Sequence, residues 1–211
     1  MTTNRIKYPR TFHLPFSPGV TSDDKKLKST KHLQGKQVVI TEKFDGENST
    51  LLRDGFHARS IDSGYHPSRA WLGRFHGQIA HDIPEGWRIC GENLFAKHSL
   101  GYENLPSFFL GFSVWDESNQ ALSWDDTLEV FEVLGIAPVK ELFRGPYDEE
   151  QVQALAKSID TEKQEGFVVR VADRFSYEDF SLSVAKWVRP AHVSTSDHWM
   201  YQAIVPNKML D

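Results

Sequence analysis

The amino-acid sequence predicts an α+β fold with mainly antiparallel sheets flanked by helices. Short apolar runs rich in β-branched residues, each bounded by turn residues, predict strands in both halves of the chain. Segments with helical periodicity and capping residues interrupt these strands. Because strands both lead and trail the helical segments, the pattern indicates the α+β class.

The strands can be assigned in chain order. Residues 1–35 are rich in Pro, Lys and Ser and predict an irregular arm laid over the domain that follows. Residues 37–44 (QVVITEKF) then predict a strand, and residues 49–61 predict a hairpin with Asp54-Gly55 at its turn. Further strands are predicted at residues 87–95, 108–116, 166–172 and 181–188.

The helices are predicted from periodicity and caps. A helix that begins at residue 67 has Trp71, Phe75 and Ile79 at positions i, i+4 and i+8, which is typical of a stripe that packs on a core. A second helix is predicted from the N-cap serine at 123 to the glycine at 135. A third spans about residues 148–158.

Composition limits the classes of protein. The chain has 211 residues and a net charge of -5, so a purely nucleic-acid-binding module is disfavoured and polyanion binding would need a local basic cleft. The single cysteine, Cys90, excludes an internal disulfide and fits a reducing cytoplasm, where we expect it to act as a small buried hydrophobe. The sequence contains no apolar run of about 18 residues and no signal-peptide pattern at its start, so a cytoplasmic protein without a membrane partner is expected.

One lysine has the position expected of a covalent nucleophile. The segment EKFDGEN (residues 42–48) places Lys43 between an apolar strand and an Asp-Gly turn. A lysine amine held at a strand end can attack an electrophile. Taken alone, this short motif fits a solvated lysine in a turn better than a nucleophile.

Further motifs at predicted strand ends give Lys43 a context. In chain order they are Arg59, the segment GEN at 91–93, Phe112 within LGFSVWD, the segment EGFVV at 165–169, and Lys186 within SVAKWV. Over residues 36–190, their order and spacing resemble the covalent nucleotidyltransferase superfamily of ATP-dependent ligases and capping enzymes. The Glu-Lys-x-Asp-Gly-x-Asn form is most similar to the RNA-ligase branch. The resemblance implies a nucleotidyltransferase (adenylation-domain) fold with an ATP-grasp-like ligase core.

The resemblance also implies the residues that perform the chemistry. Lys43 would attack the α-phosphorus of ATP and form a lysyl-AMP adduct. Lys186 would hold the α-phosphate, and Glu165 would be a metal-site carboxylate for Mg²⁺ or Mn²⁺, which prefer oxygen ligands. Lys43 must be neutral to attack, and we expect a neighbouring cation, either Lys186 or the metal, to lower its pKa.

Other residues would bind the nucleoside and the phosphates. Glu42 can accept a hydrogen bond from the adenine amine but not donate one to guanine, which favours ATP over GTP. By resemblance, Phe112 would stack on adenine, Glu92 and Arg59 would contact the ribose hydroxyls, and Asn48 would contact phosphate. The alternatives are core packing for Phe112, turn roles for Glu92 and Asn48, and a surface position for Arg59.

The chain departs from the family pattern in two places. Similar ligases carry two lysines separated by one residue in the last motif, whereas this chain has only Lys186, and Arg189 is the nearby candidate for the second cation. Only about 20 residues follow that motif, so residues 191–211 are expected to form a tail packed on the same domain rather than a C-terminal domain.

That tail contains several aromatic and histidine side chains. His192, His198, Trp199 and Met200 are expected to pack on the sheet or to touch RNA. None of the histidines in the chain has the spacing of a zinc site.

These observations predict an ATP-dependent RNA ligase that joins 5′-phosphate and 3′-hydroxyl ends in RNA repair. The expected partners are RNA ends or nicked RNA, with an end-healing kinase-phosphatase as a candidate, and the expected state is a monomer. The alternatives are a minimal ATP-dependent DNA ligase and a non-catalytic module that binds nucleotide or RNA ends.

Overall fold

The computed structural model of the protein describes residues 5–190 and 203–210. The fold class is α+β, with antiparallel pairing dominant, as the sequence predicts. The strands are β1 (Phe12–His13), β2 (Gln37–Lys43), β3 (Glu47–Leu52), β4 (Gly55–Ala58), β5 (Arg88–Asn93), β6 (Phe109–Trp115), β7 (Gln120–Ala121), β8 (Ala137–Pro138), β9 (Glu141–Pro146), β10 (Gly166–Val171), β11 (Phe175–Ser176) and β12 (Val184–Val188). The α-helices are α1 (Ala70–Ile79), α2 (Trp124–Leu134), α3 (Glu149–Ser158) and α4 (Phe180–Ser183).

The strands form two sheets. The first sheet has the order β1-β12-β10-β2-β9, and the second has the order β11-β7-β6-β5-β3-β4 with β8 beside β6. Within the described residues, parallel pairing between named strands is limited to β1 with β12 and β8 with β6. The chain leaves the first sheet at the end of β2 and enters the second at β3, so residues 44–46 connect the two sheets.

The apolar residues of the two sheets form clusters, and the cluster around the first sheet also includes Cys90 and Trp115 of the second. In the first sheet, alternate residues of the central strands β2 and β10, among them Val38, Ile40, Phe167 and Val169, are buried in one cluster. In the second, Ile79 is buried and Trp71 and Phe75 pack against a cluster that also receives α2. The predicted stripe on α1 is therefore a core stripe.

Capping and turn residues determine where several helices and strands end. The Ser123 side chain accepts a hydrogen bond from the Asp126 amide at 3.1 Å and caps α2, and Gly135 ends that helix with φ of 65°. The predicted hairpin is present as β3 and β4, with Leu52 opposite Gly55.

The structure also differs from the sequence-based assignment in places. The predicted strand at 181–188 begins only at Val184, because Phe180–Ser183 form a short helix. The arm is not wholly irregular, since β1 adds an edge strand to the first sheet. Cys90 is buried in β5, as expected, and burial raises the pKa of its thiol to about 11.

The described part of the tail lies against the segment that follows β5. Pro206 bridges to Ala96, and the buried Asn207 side chain donates to the Leu94 carbonyl at 2.8 Å. His192, His198, Trp199 and Met200 lie outside the described residues. None of the helices within residues 5–190 and 203–210 has the length and apolar character required to cross a membrane.

Candidate active site

The centre of the site is a contact between Lys43 and Glu165. Lys43 is the last residue of β2 and pairs with Gly166, the first residue of β10. The Lys43 Nζ therefore lies 2.5 Å from Oε2 of Glu165, the residue that immediately precedes β10. The Lys43 side chain is 25% exposed and that of Glu165 is 7% exposed, so the lysine faces a cleft while its partner is enclosed.

Two residues of the turn after Lys43 hold it in place. The Asp45 carboxylate accepts hydrogen bonds from the backbone amides of Ser99 and Leu100, at 2.8 and 3.0 Å. At Gly46, a Cβ atom would lie 2.6 Å from the Asn93 carbonyl oxygen, so only glycine allows this close approach to β5. The Asp-Gly pair therefore has a structural role: it holds the turn that connects the two sheets in place.

Beside Lys43 lies a cavity of about 200 Å³ between the sheets. Five of the residues singled out from the sequence line this cavity: Glu42, Lys43, Asn48, Glu92 and Phe112. Its volume suits a nucleoside rather than a whole nucleoside triphosphate. The buried Oδ1 atom of Asn48 makes no hydrogen bond within the described residues and is thus available to a ligand.

An adjoining open cleft of about 220 Å³ is lined by more cations than carboxylates, the carboxylates being Asp23 and Asp24. Lys43 and Asn48 line both spaces, and the cleft adds the remaining predicted cations, Lys186 and Arg59, together with Arg10. The Lys186 Nζ lies 3.3 Å from Oδ1 of Asp24. This arrangement would place phosphates next to the Lys43 amine while the nucleoside occupies the cavity.

The carboxylates around Lys43 change its protonation. Burial alone would lower the pKa of Lys43, but the negative charges of Glu165 and Glu92 outweigh burial and raise it. The expectation that a neighbouring cation lowers this pKa is therefore not met by the protein's own residues. Lys43 is held as an ammonium ion, and it must lose a proton before it can act as a nucleophile.

The same cluster brings several carboxyl groups close together. Burial, together with Glu165 and Asp45, raises the pKa of Glu92 to about 8, and burial also raises that of Glu165. Crowded carboxylate oxygens of this kind fit a hard divalent cation. Within the described part of the chain, however, no three His, Cys, Asp or Glu side chains converge as a complete metal site. Glu165 and Glu92 would therefore hold a cation only together with phosphate or water oxygens.

The last motif differs from the pattern of two lysines. Val184 and Lys186 lie on the same face of β12, and Val184 lines the nucleoside cavity. Arg189 follows the strand, where its amide donates to the Glu165 carbonyl at 2.9 Å and its Nη2 atom lies 3.4 Å from Oγ of Ser99, which in turn binds the Asp45 carboxylate. Arg189 is not among the residues that line the cleft.

Sequence reasoning missed several residues of the site. Tyr8 lines both the cavity and the cleft, and its ring meets Phe112 edge-on at 5.2 Å. The Tyr8 carbonyl also accepts a hydrogen bond from Nε of Arg59 at 3.2 Å. The only signal for this placement was an aromatic residue in a polar arm.

Arg170 was also missed, because it lies within an apolar strand. It is buried in β10 and lines the cavity, and its Nη2 atom donates to the Leu122 carbonyl at 2.7 Å. Its guanidinium lies over the rings of Trp124 and Phe175.

Comparisons with known proteins agree with this geometry. A family model described as RNA ligase matches residues 36–188. Three solved structures match the fold with TM-scores of 0.57, 0.54 and 0.53: an archaeal ATP-dependent RNA ligase, a putative ATP-dependent DNA ligase from Aquifex aeolicus, and a mutant of Naegleria gruberi RNA ligase with ATP and Mn. Their sequence identities to this chain are, in the same order, 14%, 19% and 17%.

The three matches cover most of this chain but only about half of each matched structure. The matches cover 86%, 86% and 75% of this chain but only 48%, 49% and 51% of the respective partners. The chain thus spans about half the length of these structures, and the likeness concerns the nucleotidyltransferase fold. No curated protein matches the chain by sequence.

Proposed function

We propose, from the premise that this chain belongs to the RNA ligase family, that it is an ATP-dependent ligase that joins RNA 5′-phosphate and 3′-hydroxyl ends. The observation that carries the proposal is the position of Lys43. Its amine lies where a cavity of nucleoside size meets a cleft lined by Lys186, Arg59 and Arg10. That position suits a nucleophile directed at the α-phosphate of a bound nucleotide.

The first step is adenylylation of Lys43. The neutral amine forms a bond from nitrogen to the α-phosphorus, the bond from that phosphorus to the bridging oxygen breaks, and pyrophosphate leaves. Glu165, 2.5 Å from the amine, is placed to hold the proton that Lys43 gives up. Lys186 faces the same cleft and offsets the negative charge on the transferring phosphoryl group.

Binding and selectivity for ATP rest on the cavity. Glu42 is buried at its wall and can accept a hydrogen bond from the exocyclic amine of adenine. Phe112 offers an aromatic face to the base, and Glu92, which lines the same cavity, would contact the ribose hydroxyls. A divalent cation held by Glu165 and Glu92, Mg²⁺ or Mn²⁺, would neutralise triphosphate charge, and the Naegleria gruberi structure with ATP and Mn supports this expectation.

The two later steps act on RNA. The AMP group passes from Lys43 to an RNA 5′-phosphate, and an RNA 3′-hydroxyl then attacks that activated phosphate and expels AMP. The family match supports RNA as the polymer, while the likeness to a putative DNA ligase keeps DNA as the second candidate. A role in cytoplasmic RNA repair, alongside an enzyme that heals RNA ends, is part of this proposal.

The test uses ATP labelled at the α-phosphate. Wild-type protein, Lys43→Ala and a control, Lys157→Ala at the exposed end of α3, are each incubated with labelled ATP or GTP and a divalent cation. We expect an acid-labile, labelled protein band from ATP in the wild type and the control, and none in Lys43→Ala. A wild-type protein that is free of bound AMP and forms no band would contradict the proposal.

A second assay separates RNA from DNA. Matched nicked duplexes and single strands of RNA and DNA are offered to wild-type protein with ATP. Sealing of RNA alone or with clear preference is the expected result. Preferential sealing of DNA nicks would replace the RNA-ligase assignment with that of a DNA ligase.

A further inference from the structure

The N-terminal arm is paired with the strand that carries Lys186. Strand β1 runs parallel to β12, with His13 opposite Lys186. The Leu14 amide donates to the Lys186 carbonyl at 2.7 Å, and the Gly19 amide donates to the Val188 carbonyl at 3.0 Å. The arm therefore fixes the backbone of Lys186 from its otherwise exposed side.

A chain of polar side chains leads from the arm to the Lys186 amine. The Ser17 Oγ accepts a hydrogen bond from the Val188 amide at 3.0 Å and lies 2.8 Å from Nδ1 of His13. The His13 Nε2 lies 3.3 Å from Oδ2 of Asp24, and Oδ1 of Asp24 lies 3.3 Å from Nζ of Lys186. His13 and Ser17 are buried, so the inner end of the chain is enclosed by protein.

Asp24 is anchored independently of the lysine. Its Oδ2 atom accepts hydrogen bonds from both the amide and the hydroxyl of Thr21, at 3.1 and 2.9 Å. The carboxylate is thus fixed by its own turn and by His13, while the Lys186 amine sits at the end of a flexible side chain. Asp24 therefore restrains the position of the Lys186 amine, and not the reverse.

We propose that Asp24 is a positioning residue for AMP transfer: it holds the Lys186 ammonium group at the phosphate cleft, so that the N-terminal arm forms part of the catalytic apparatus. This inference rests on the proposed function, because it assigns Asp24 a role in that same reaction. Asp24 occupies one face of the ammonium group, and the remaining N–H donors are left for phosphate oxygens.

Electrostatics support this role. Burial lowers the pKa of Lys186, and the nearby Lys43 lowers it further, whereas Asp24 raises it. The reaction needs two lysines in opposite states, with Lys43 neutral and Lys186 cationic. Asp24 favours the cationic state at Lys186 alone, since its carboxylate contacts that amine directly.

The test compares Asp24→Asn with Glu129→Gln, which removes the same charge from an exposed residue of α2 that lines neither the cavity nor the cleft. Lysyl-AMP formation is followed in single turnovers across ATP concentrations, and thermal unfolding is measured for each variant. For Asp24→Asn we expect the rate at saturating ATP to fall about tenfold or more, with a KM for ATP close to that of the wild type. Glu129→Gln should retain the wild-type rate.

A double-mutant cycle distinguishes positioning from a general structural effect. If Asp24 acts through Lys186, the rate of Lys186→Ala should change little when Asp24→Asn is added, whereas independent effects would multiply. Three results would each overturn the inference. They are losses that multiply in the double variant, an unchanged rate in Asp24→Asn, and a faster rate in Asp24→Asn, which would mean that Asp24 slows the reaction. If Asp24→Asn fails to fold, Thr21→Val removes one anchor of the carboxylate, and it should slow the reaction for the same reason.

The control for the underlying activity is the wild-type protein. A wild type that forms no lysyl-AMP contradicts the proposed function itself. A wild type that forms the adduct beside an Asp24→Asn variant of equal rate contradicts only the role of Asp24.

Discussion

At the scale of single residues, Tyr8 shows how an arm residue completes the wall of the cavity beside Lys43. Its ring contacts both Phe112 and Phe180 edge-on, each at 5.2 Å between centroids. The sequence left two roles open for Phe112, base stacking or core packing, and the structure shows core packing while leaving part of the residue at the cavity wall. One side of Phe112 belongs to the core clusters and the other lines the cavity.

We expect Tyr8→Ala to weaken ATP binding. Loss of the aromatic contacts costs about 1 kcal/mol, so the KM for ATP in adenylylation should rise about fivefold. Tyr8→Phe keeps the ring and should lose much less. Equal KM values in the wild type and Tyr8→Ala would show that the arm does not form the cavity wall in solution.

Glu42 carries the prediction about base selectivity. Glu42 is 9% exposed, and burial raises its pKa. A base that presents an acceptor oxygen to this buried carboxylate would leave it without a hydrogen bond and would bind more weakly. An ionised carboxylate only accepts hydrogen bonds, whereas the amide in Glu42→Gln can also donate to the oxygen of guanine. We therefore expect the ratio of GTP to ATP labelling to rise about tenfold in Glu42→Gln. An unchanged ratio would remove Glu42 from base recognition.

At the scale of elements, the close approach of β10 and β12 positions both Glu165 and Lys186. Gly166 has φ of 156°, and a Cβ atom there would lie 2.0 Å from the Trp187 carbonyl oxygen. The two strands can pair at this point only because residue 166 lacks a side chain. The glycine of the EGFVV motif is thus required by strand packing rather than by contact with a nucleotide.

This explanation predicts opposite results for two glycines. Gly166→Ala should destabilise the protein by about 2 kcal/mol, because the strands must separate, and should slow adenylylation. Gly77→Ala, on the exposed face of α1 with nothing within 4 Å of its added Cβ, should stabilise it by about 0.5–1 kcal/mol. Thermal unfolding measures both. A Gly166→Ala protein as stable as the wild type would contradict the packing argument.

Elements also determine how much of the site could be predicted from sequence. Lys43, Glu165 and Lys186 stand at or near the ends of apolar strands, where periodicity and turn residues are strong local signals. Asp24 and His13 reach the site through pairing across more than 150 residues of sequence, and the two-residue strand β1 is too short to leave a periodic pattern. The short helix before β12 was missed because its apolar residues continue those of the strand.

At the scale of the whole molecule, the site lies where two sheets face each other. The first sheet contributes Lys43, Glu165 and Lys186 from β2, from the start of β10 and from β12, and the second contributes Asn48, Glu92 and Phe112 from β3, β5 and β6. Residues 44–46 join the two halves, with Asp45 and Gly46 tied to the second. Each half alone lacks either the nucleophile or most of the nucleoside cavity.

The distribution of charge leads to the last prediction. The chain has a net charge of -5, yet Arg10, Arg59, Lys43 and Lys186 share one cleft. Under the proposed function, RNA would bind by local attraction against overall repulsion, and sealing by pre-adenylylated protein should weaken steeply with salt. For single strands the logarithmic slope is about -0.7 for each neutralised phosphate.

Removal of one cleft cation should reduce that slope by a comparable amount. We expect Arg10→Gln to reduce the slope for RNA binding by about 0.7. Arg144→Gln is the matched control, because its guanidinium is already paired with Asp125 and Glu141. Titration of labelled 5′-phosphorylated RNA at several salt concentrations measures the slopes. Equal slopes in the wild type and Arg10→Gln would mean that RNA approaches Lys43 from another side of the cleft. The N-terminal arm would then contribute to binding of the nucleotide but not to binding of RNA.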